Sequence, residues 1–138
     1  TVVKGLVGYW GEIAQHRGLK STIEKILDLP ISPELLPPGE GGEISQETEA
    51  IIGSYDLHDF YLYHFLNHGY SREKIHALAE VAFKDNRELL GQIDRSIEIF
   101  FKRFFSQQFK RTTLPPGPKV HQVGLSPRSD FRLPDEIK

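Results

Sequence analysis

Lys110 and Arg111 stand side by side after the aromatic-rich run from Phe100 to Phe109 and before Pro115, Pro116 and Pro118. A cationic pair at a helix end suits an anion, because ammonium and guanidinium groups make charge-assisted hydrogen bonds to phosphate or carboxylate. Apolar packing can fix such a helix, and the prolines can turn the following chain over a ligand. The competing reading is a solvated basic helix end whose cations meet the last backbone carbonyls. At this level Lys110 and Arg111 are equally eligible.

The other candidates are weaker. His64 and His68 lie four apart, a spacing that puts two imidazoles on one helical face as in many metal sites. They sit outside any His-Glu-x-x-His pattern, lack an obvious third ligand, and share their face with Phe60, Tyr61 and Phe65, so a packed or surface pair is favoured. Asp56 and Asp59 suit a ligand but equally suit the positive N-terminal end of a helix. Glu34 after Ser32-Pro33 reads as a functional carboxylate or as a surface charge. Gly39-Glu40-Gly41-Gly42 is a solvated loop whose acidic setting repels phosphate. There is no nucleophile elbow, Walker loop or dinucleotide glycine fingerprint, so no complete catalytic apparatus is visible and no catalytic residue or metal ligand is assigned.

Positioning these residues falls to helices. Leu6, Val7, Trp10, Ile13 and Ala14 recur at helical spacing despite three glycines, and Gly18 is the expected stop. Ser21 is expected to cap a second helix bearing Ile23, Ile26 and Leu27, which Pro30 and Pro33 end. Residues 37–49 read as a surface loop. After Gly53, Ser54 or Asp56 opens a helix that Gly69 closes, and Ser71 caps the next, with Ile75, Leu78, Ala79, Ala82 and Phe83 inward. A last long helix carries Ile93, Ile97, Phe100, Phe101, Phe104 and Phe105 on one face. Residues 1–111 are thus expected to be helical. The proline-rich tail 112–138 is expected to lie extended over a surface, with at most a short strand near Lys119 to Val123 and with another domain or subunit as its natural partner.

The 138 residues carry a formal net charge of −2 and neither cysteine nor methionine. That balance argues against a nucleic-acid partner. The lack of cysteine excludes disulfides and thiolate metal sites and fits a cytoplasmic setting. No apolar run is long enough to span a bilayer, so a soluble chain is expected. Acidic residues gather at Glu34, Glu40, Glu43, Glu47 and Glu49, whereas Lys102, Arg103, Lys110, Arg111, Lys119 and Arg128 lie late, which assigns an anionic ligand to the second half. A start at Thr1 without methionine suggests a piece of a longer protein.

Three segments carry a resemblance to a known family: Val3-Lys4-Gly5-Leu6-Val7; Leu27-Asp28-Leu29-Pro30-Ile31-Ser32-Pro33-Glu34-Leu35-Leu36-Pro37 with Ile52-Gly53-Ser54-Tyr55-Asp56-Leu57-His58-Asp59-Phe60; and Phe104-Phe105-Ser106-Gln107-Gln108-Phe109-Lys110-Arg111, continued by Leu114-Pro115-Pro116-Gly117-Pro118-Lys119-Val120 and Leu125-Ser126-Pro127-Arg128-Ser129-Asp130. In order and spacing the chain resembles the C-terminal portion of a glutamine-dependent NAD synthetase of the long bacterial type. The resemblance implies that residues 1–138 are the mainly α-helical C-terminal part of a Rossmann-like α/β synthetase domain of the ATP-pyrophosphatase (adenine nucleotide alpha hydrolase-like) kind. The implied reaction is ATP-dependent adenylation of deamido-NAD, then amidation by glutamine-derived ammonia to give NAD, AMP and diphosphate.

It further implies that Lys4 and Ser32 contact ATP and that Lys110 binds deamido-NAD. ATP and Mg2+ would be substrate and cofactor of the parent enzyme, with no tightly bound cofactor in this piece. Implied partners are the rest of the synthetase, the glutaminase domain and a second copy in a homo-oligomer, with no nucleic acid or membrane. Phe109 departs from the pattern, since shorter synthetases have His there, and any role of that His does not carry over. The Ser-Gly-Gly-x-Asp-Ser type ATP-pyrophosphatase loop, the magnesium-binding glutamate and the glutaminase cysteine are absent from these residues, so the piece alone is expected to be inactive. The alternative function is a non-catalytic helical interaction module that docks through its aromatic face and tail.

Overall fold

The computed structural model describes residues 2–13, 18–29, 48–115, 117, 119 and 121–137. Its regular elements are α1 (Val2–Ile13), α2 (Leu19–Asp28), α3 (Thr48–Ile52), α4 (Tyr55–His68), α5 (Arg72–Ala82), α6 (Arg87–Leu90), α7 (Ile93–Ser106) and α8 (Gln108–Thr112). The expected mainly α character is borne out, and no strand occurs among the described residues. The chain divides into two compact units, Thr1–Ile51 and Ile52–Lys138.

In the first unit, α1 and α2 pair where a glycine lets them approach. A Cβ placed on Gly11 would lie 3.1 Å from Ile23 Cγ2. Gly11 thus gives up helix propensity for close packing against the buried Ile23. Of the expected α1 stripe, Leu6, Trp10 and Ile13 are exposed and Val7 is half-buried, while Ala14 lies outside the described residues. Entry into α2 differs from expectation. The helix begins at Leu19, ahead of Ser21, after Gly18 turns the chain at φ 91°. Ser21 Oγ and Thr22 Oγ1, already inside the helix, donate back to Gly18 O at 2.9 and 3.0 Å. These hydroxyls bond back to a carbonyl at the helix start and do not take the place of the expected cap, since among the described residues no side chain accepts from the first-turn N–H groups at Gly18.

The second unit is organised around α7. Ile93, Ile97, Phe100 and Phe104 are buried in one cluster with Leu57 and Tyr61 of α4 and Ile75 and Ala79 of α5. Their spacing of four, three and four residues is the helical stripe expected from the sequence. Helix α4 starts as read: Ser54 Oγ accepts from Asp56 N at 3.2 Å. It ends at Gly69, whose φ is 61°. There Gly69 N donates to Phe65 O and Tyr70 N to His64 O, satisfying carbonyls that the helix leaves open. Ser71 Oγ caps α5 through Lys74 N. The short α6, capped by Asn86 Oδ1 on Leu89 N at 3.1 Å, was not legible from periodicity because it has only four residues. Helix α3 likewise claims Thr48 and Glu49 from the expected surface loop.

Polar ties stitch the core. Tyr61 Oη and Ser96 Oγ lie 2.8 Å apart, and Ser96 Oγ donates to Ile93 O at 3.2 Å. A buried phenol and a buried hydroxyl thereby satisfy each other. Burial pushes the Tyr61 phenol above its ordinary pKa, and it stays a neutral donor. Gly53 passes over the same spot at φ 91°, and a Cβ placed on it would fall 3.1 Å from Ser96 Cβ. Both backbone angle and space demand glycine there. From the tail, Leu125 and Phe131 pack against the cluster, with the Phe131 ring 5.4 Å from Phe104.

Two substitutions separate packing from polar stitching. Ile97→Ala is expected to destabilise the chain by about 2 to 5 kcal/mol through a buried cavity. Tyr61→Phe should cost about 1 kcal/mol, since Ser96 keeps its bond to Ile93 O. Urea unfolding measures both; equal losses would contradict the primacy of the α7 stripe.

Candidate anion-binding helix end

The α7 stripe does not stop at Phe104. Four residues on, Gln108 is fully buried, and three further on comes Arg111. The helix tightens at Gln107, where α7 ends, and resumes as the five-residue α8, with Lys110 N donating to Gln107 O at 3.1 Å. A buried amide must satisfy both its carbonyl and its amino group. Gln108 Oε1 accepts from Arg111 Nε at 2.8 Å, and Gln108 Nε2 donates to Leu133 O at 3.3 Å. One side chain thereby ties helix end, guanidinium and tail together.

Arg111 is turned into this junction and half-buried there. Besides bonding Gln108, it donates through Nη2 to Phe104 O and lies over the Phe104 ring, 4.4 Å from its centroid. Burial pushes its pKa below the ordinary value, but a guanidinium starts so high that it stays charged. Neighbouring cations are similarly engaged. Arg128 donates to Leu114 O at 2.7 Å and to Thr112 O at 3.4 Å. It thus satisfies carbonyls at and beyond the α8 terminus. Lys119 is clasped by both Asp130 carboxylate oxygens at 3.2 Å and by Gln122 O at 2.9 Å. Gly124 makes room for that clasp, since a Cβ there would come within 2.8 Å of Asp130 Oδ2.

Lys110 differs from these three. It is exposed, as Lys102 and Arg103 on α7 also are, and its ammonium has no ion pair or side-chain hydrogen bond among the described residues; unlike those two it lies at the helix end beside the Gln108 junction. The sequence left Lys110 and Arg111 equivalent; the structure separates them into a cation held inside and a cation presented outside. The signal for this was the stripe itself, because a Gln and an Arg continuing an apolar row are either errors of register or a buried polar junction.

The remaining sequence candidates fall as follows. Lys4 is exposed in the first turn of α1, in the first unit, a place where the helix dipole gives a cation no stabilisation. Ser32, Glu34 and the Gly39 to Gly42 loop lie outside the described residues. Asp56 is in the first turn of α4, where its charge suits the helix N-terminus. His64 and His68 do share a face, with ring centroids 5.6 Å apart, but Tyr70 stacks on both at 5.9 and 5.1 Å. Among the described residues no group of three His or carboxylate donors forms a metal cage. His64 Nδ1 is buried without a partner, and burial, reinforced by His68, holds His64 below its ordinary pKa.

Sequence reasoning passed over His76. Its Nε2 lies 2.6 Å from Asp94 on α7 and its Nδ1 3.6 Å from Glu80, while Arg72 reaches Glu98 at 2.5 Å. These pairs line an open groove of about 940 Å³ between α5 and α7. The three carboxylates of these pairs outnumber their one permanent cation, so the groove offers no net attraction to an anion. Among the described residues no helix is long and apolar enough to cross a membrane.

With this geometry in place, comparison with known proteins bears on the reading. Glutamine-dependent NAD(+) synthetases of Mycobacterium tuberculosis (strain H37Rv) and Mycobacterium bovis are 38% identical to the chain over 144 aligned positions, covering 92% of it. That of Mycobacterium leprae is 39% identical over 132 positions, covering 83% of it. The chain resembles glutamine-dependent NAD(+) synthetases. The resemblance read from the Lys4, Ser32 and Lys110 segments is borne out. The chain spans only about one fifth of these synthetases, 21% of the M. tuberculosis protein and 19% of the M. leprae one. No family model matches the chain.

The His64 environment gives a pH prediction. The fold favours the neutral imidazole, so the unfolded chain takes up the proton first. The stabilising contribution is complete above about pH 6.5 and is lost as pH falls from there toward the lower folded pKa. The melting temperature should therefore fall as the pH is lowered below about 6.5. It should drop less in His64→Phe, which keeps a ring stacked on Tyr70 and tilted against Phe60. Identical pH profiles for the two proteins would remove His64 from the explanation.

Proposed function

We propose that this chain is the C-terminal, mainly helical part of the synthetase domain of an NAD synthetase. The observation that carries the reading is Lys110: an uncompensated ammonium on an exposed helix end, beside a guanidinium already committed inward, in a chain similar to glutamine-dependent NAD(+) synthetases. In the proposed reaction a carboxylate oxygen of deamido-NAD attacks the α-phosphorus of ATP and diphosphate leaves. Ammonia derived from glutamine then attacks the activated acyl carbon and AMP departs, giving the amide of NAD.

Lys110 binds deamido-NAD. Its ammonium neutralises a phosphate or the carboxylate as it is activated, and an interaction that strengthens as charge develops favours the transition state. Lys4 and Ser32 serve ATP, the first as a cation for polyphosphate and the second through a hydroxyl that can donate to a phosphate oxygen or hydrogen-bond the adenine. Mg2+ enters with ATP. Among the described residues no cluster of three acidic or histidine donors fits such an ion, and none of the roles given to this chain runs through it. The ATP-pyrophosphatase loop and the glutaminase belong to the rest of the parent protein, which works as a homo-oligomer in the cytoplasm.

A second reading, a helical interaction module without catalytic duty, draws on the exposed Val3, Leu6, Tyr9 and Trp10 of α1. The residues encoded upstream of Thr1 discriminate the two, because only the synthetase requires a Ser-Gly-Gly-x-Asp-Ser type segment there.

In the parent enzyme, Lys110→Ala should raise the KM for deamido-NAD roughly 10- to 150-fold, the equivalent of a charge-assisted bond of about 1.5 to 3 kcal/mol. Unchanged steady-state kinetics would sink the assignment. Lys4→Ala should weaken ATP use, and an unaltered ATP dependence would remove Lys4 from the site. The 138-residue chain supplied with ATP, deamido-NAD and ammonia should form no detectable NAD; measurable turnover would show that the missing loop is dispensable.

A further inference from the structure

We propose that Arg111 is a positioning residue for Lys110, acting as the internal bolt that fixes the direction in which α8 presents its exposed ammonium. This deepens the reading given under Proposed function and rests on it.

The geometry behind it is an asymmetry between adjacent residues. A five-residue helix has too few internal hydrogen bonds to hold its own orientation, since nearly all of its backbone groups belong to one terminus or the other. Whatever aims α8 must come from side chains. Arg111 supplies three contacts around the break at Gln107: Nη2 to Phe104 O, the guanidinium face on the Phe104 ring at 4.4 Å, and Nε to the buried Gln108 amide at 2.8 Å. Phe104 is itself locked between Phe65 and Phe131, at 5.2 and 5.4 Å between ring centroids, so the anchor is rigid. The other end of the Gln108 amide holds Leu133 O at 3.3 Å. On a helix, successive residues point about 100° apart, so fixing Arg111 inward fixes the arc through which the Lys110 stem can leave the surface. A planar guanidinium can do this because its donors form a fork; a lysine at position 111 has one terminal nitrogen and cannot hold Phe104 O and the Gln108 amide in the same geometry while lying flat on a ring.

The role differs from that of a second phosphate ligand, and a double-mutant cycle separates the two. In the parent enzyme, Arg111→Gln should raise the KM for deamido-NAD roughly 10- to 100-fold, approaching the effect of losing the Lys110 contact itself, with the KM for ATP unchanged. Placed on top of Lys110→Ala, it should add almost nothing, because a positioning residue has no effect once the group it positions is gone. Arg111→Lys, which keeps the charge and most of the apolar stem, should fail to restore the KM.

Additive effects of Arg111→Gln and Lys110→Ala, or rescue by Arg111→Lys, would make Arg111 a direct ligand and overturn the proposal while leaving the synthetase reading intact. A normal KM in Arg111→Gln would also overturn it, whatever the melting temperature. If Lys110→Ala alone leaves the KM unchanged, the dinucleotide-binding reading falls and the positioning role falls with it. Should Arg111→Gln not fold, the same cycle run with Arg111→Lys and Lys110→Ala decides between the two outcomes.

Discussion

Burying an amide inside an aromatic core is tolerable only if its carbonyl and amino ends are both satisfied, and the second unit is built around meeting that demand for Gln108. Its oxygen requires Arg111 and its nitrogen requires a carbonyl from the tail. Arg111, once turned inward, needs acceptors of its own and finds Phe104 O. The tail, once drawn to Leu133, can insert Phe131 and Leu125 against the cluster. The break between α7 and α8, the docking of the tail and the exposure of Lys110 all follow from one side chain that has no access to water. An apolar residue in its place would pack, but would leave Leu133 O and Arg111 Nε without their partner.

The helices were legible because they are written in local chemistry. Ser54, Gly69 and Ser71 set boundaries through hydrogen bonds that span only a few residues, and the α7 stripe repeats often enough to override any single residue. Where a boundary depended on a choice between neighbouring groups, the reading slipped. Ser21 has a capping hydroxyl, but Gly18 has the positive φ, and the backbone turn settles where α2 begins. Helices α3 and α6, at five and four residues, are too short for periodicity to accumulate.

The candidate site was legible in composition but not in geometry. A basic pair after an aromatic helix is visible in sequence; which member faces water depends on whether the helix continues in phase past Gln107. The stripe from Ile93 through Phe104 to Gln108 and Arg111 carries that phase, but a polar residue on an apolar row reads as its end until the amide's partners are known. Lys119 and Arg128 were likewise visible as late cations, while their engagement with Asp130 and with the Leu114 and Thr112 carbonyls comes from tertiary folding. The His64 and His68 pair shows the converse: correct spacing, but no third donor joins it among the described residues and both rings pack against Tyr70.

The bond from Gln108 to Leu133, 25 positions apart, also closes the intervening stretch into a loop. The entropy of closing such a loop grows only with the logarithm of its length, so doubling it would cost about 0.6 kcal/mol. Length changes between Leu114 and Lys119, which spare α8 and the Phe131 contact, are therefore thermodynamically cheap. A one-residue insertion between Phe104 and Gln108 is of another order, because it rotates the amide out of the core by about 100° and severs every contact that depends on it. Two neighbouring segments thus stand under opposite rules for insertion and deletion: the stretch between Leu114 and Lys119 can drift in length while the four-residue step from Phe104 to Gln108 cannot.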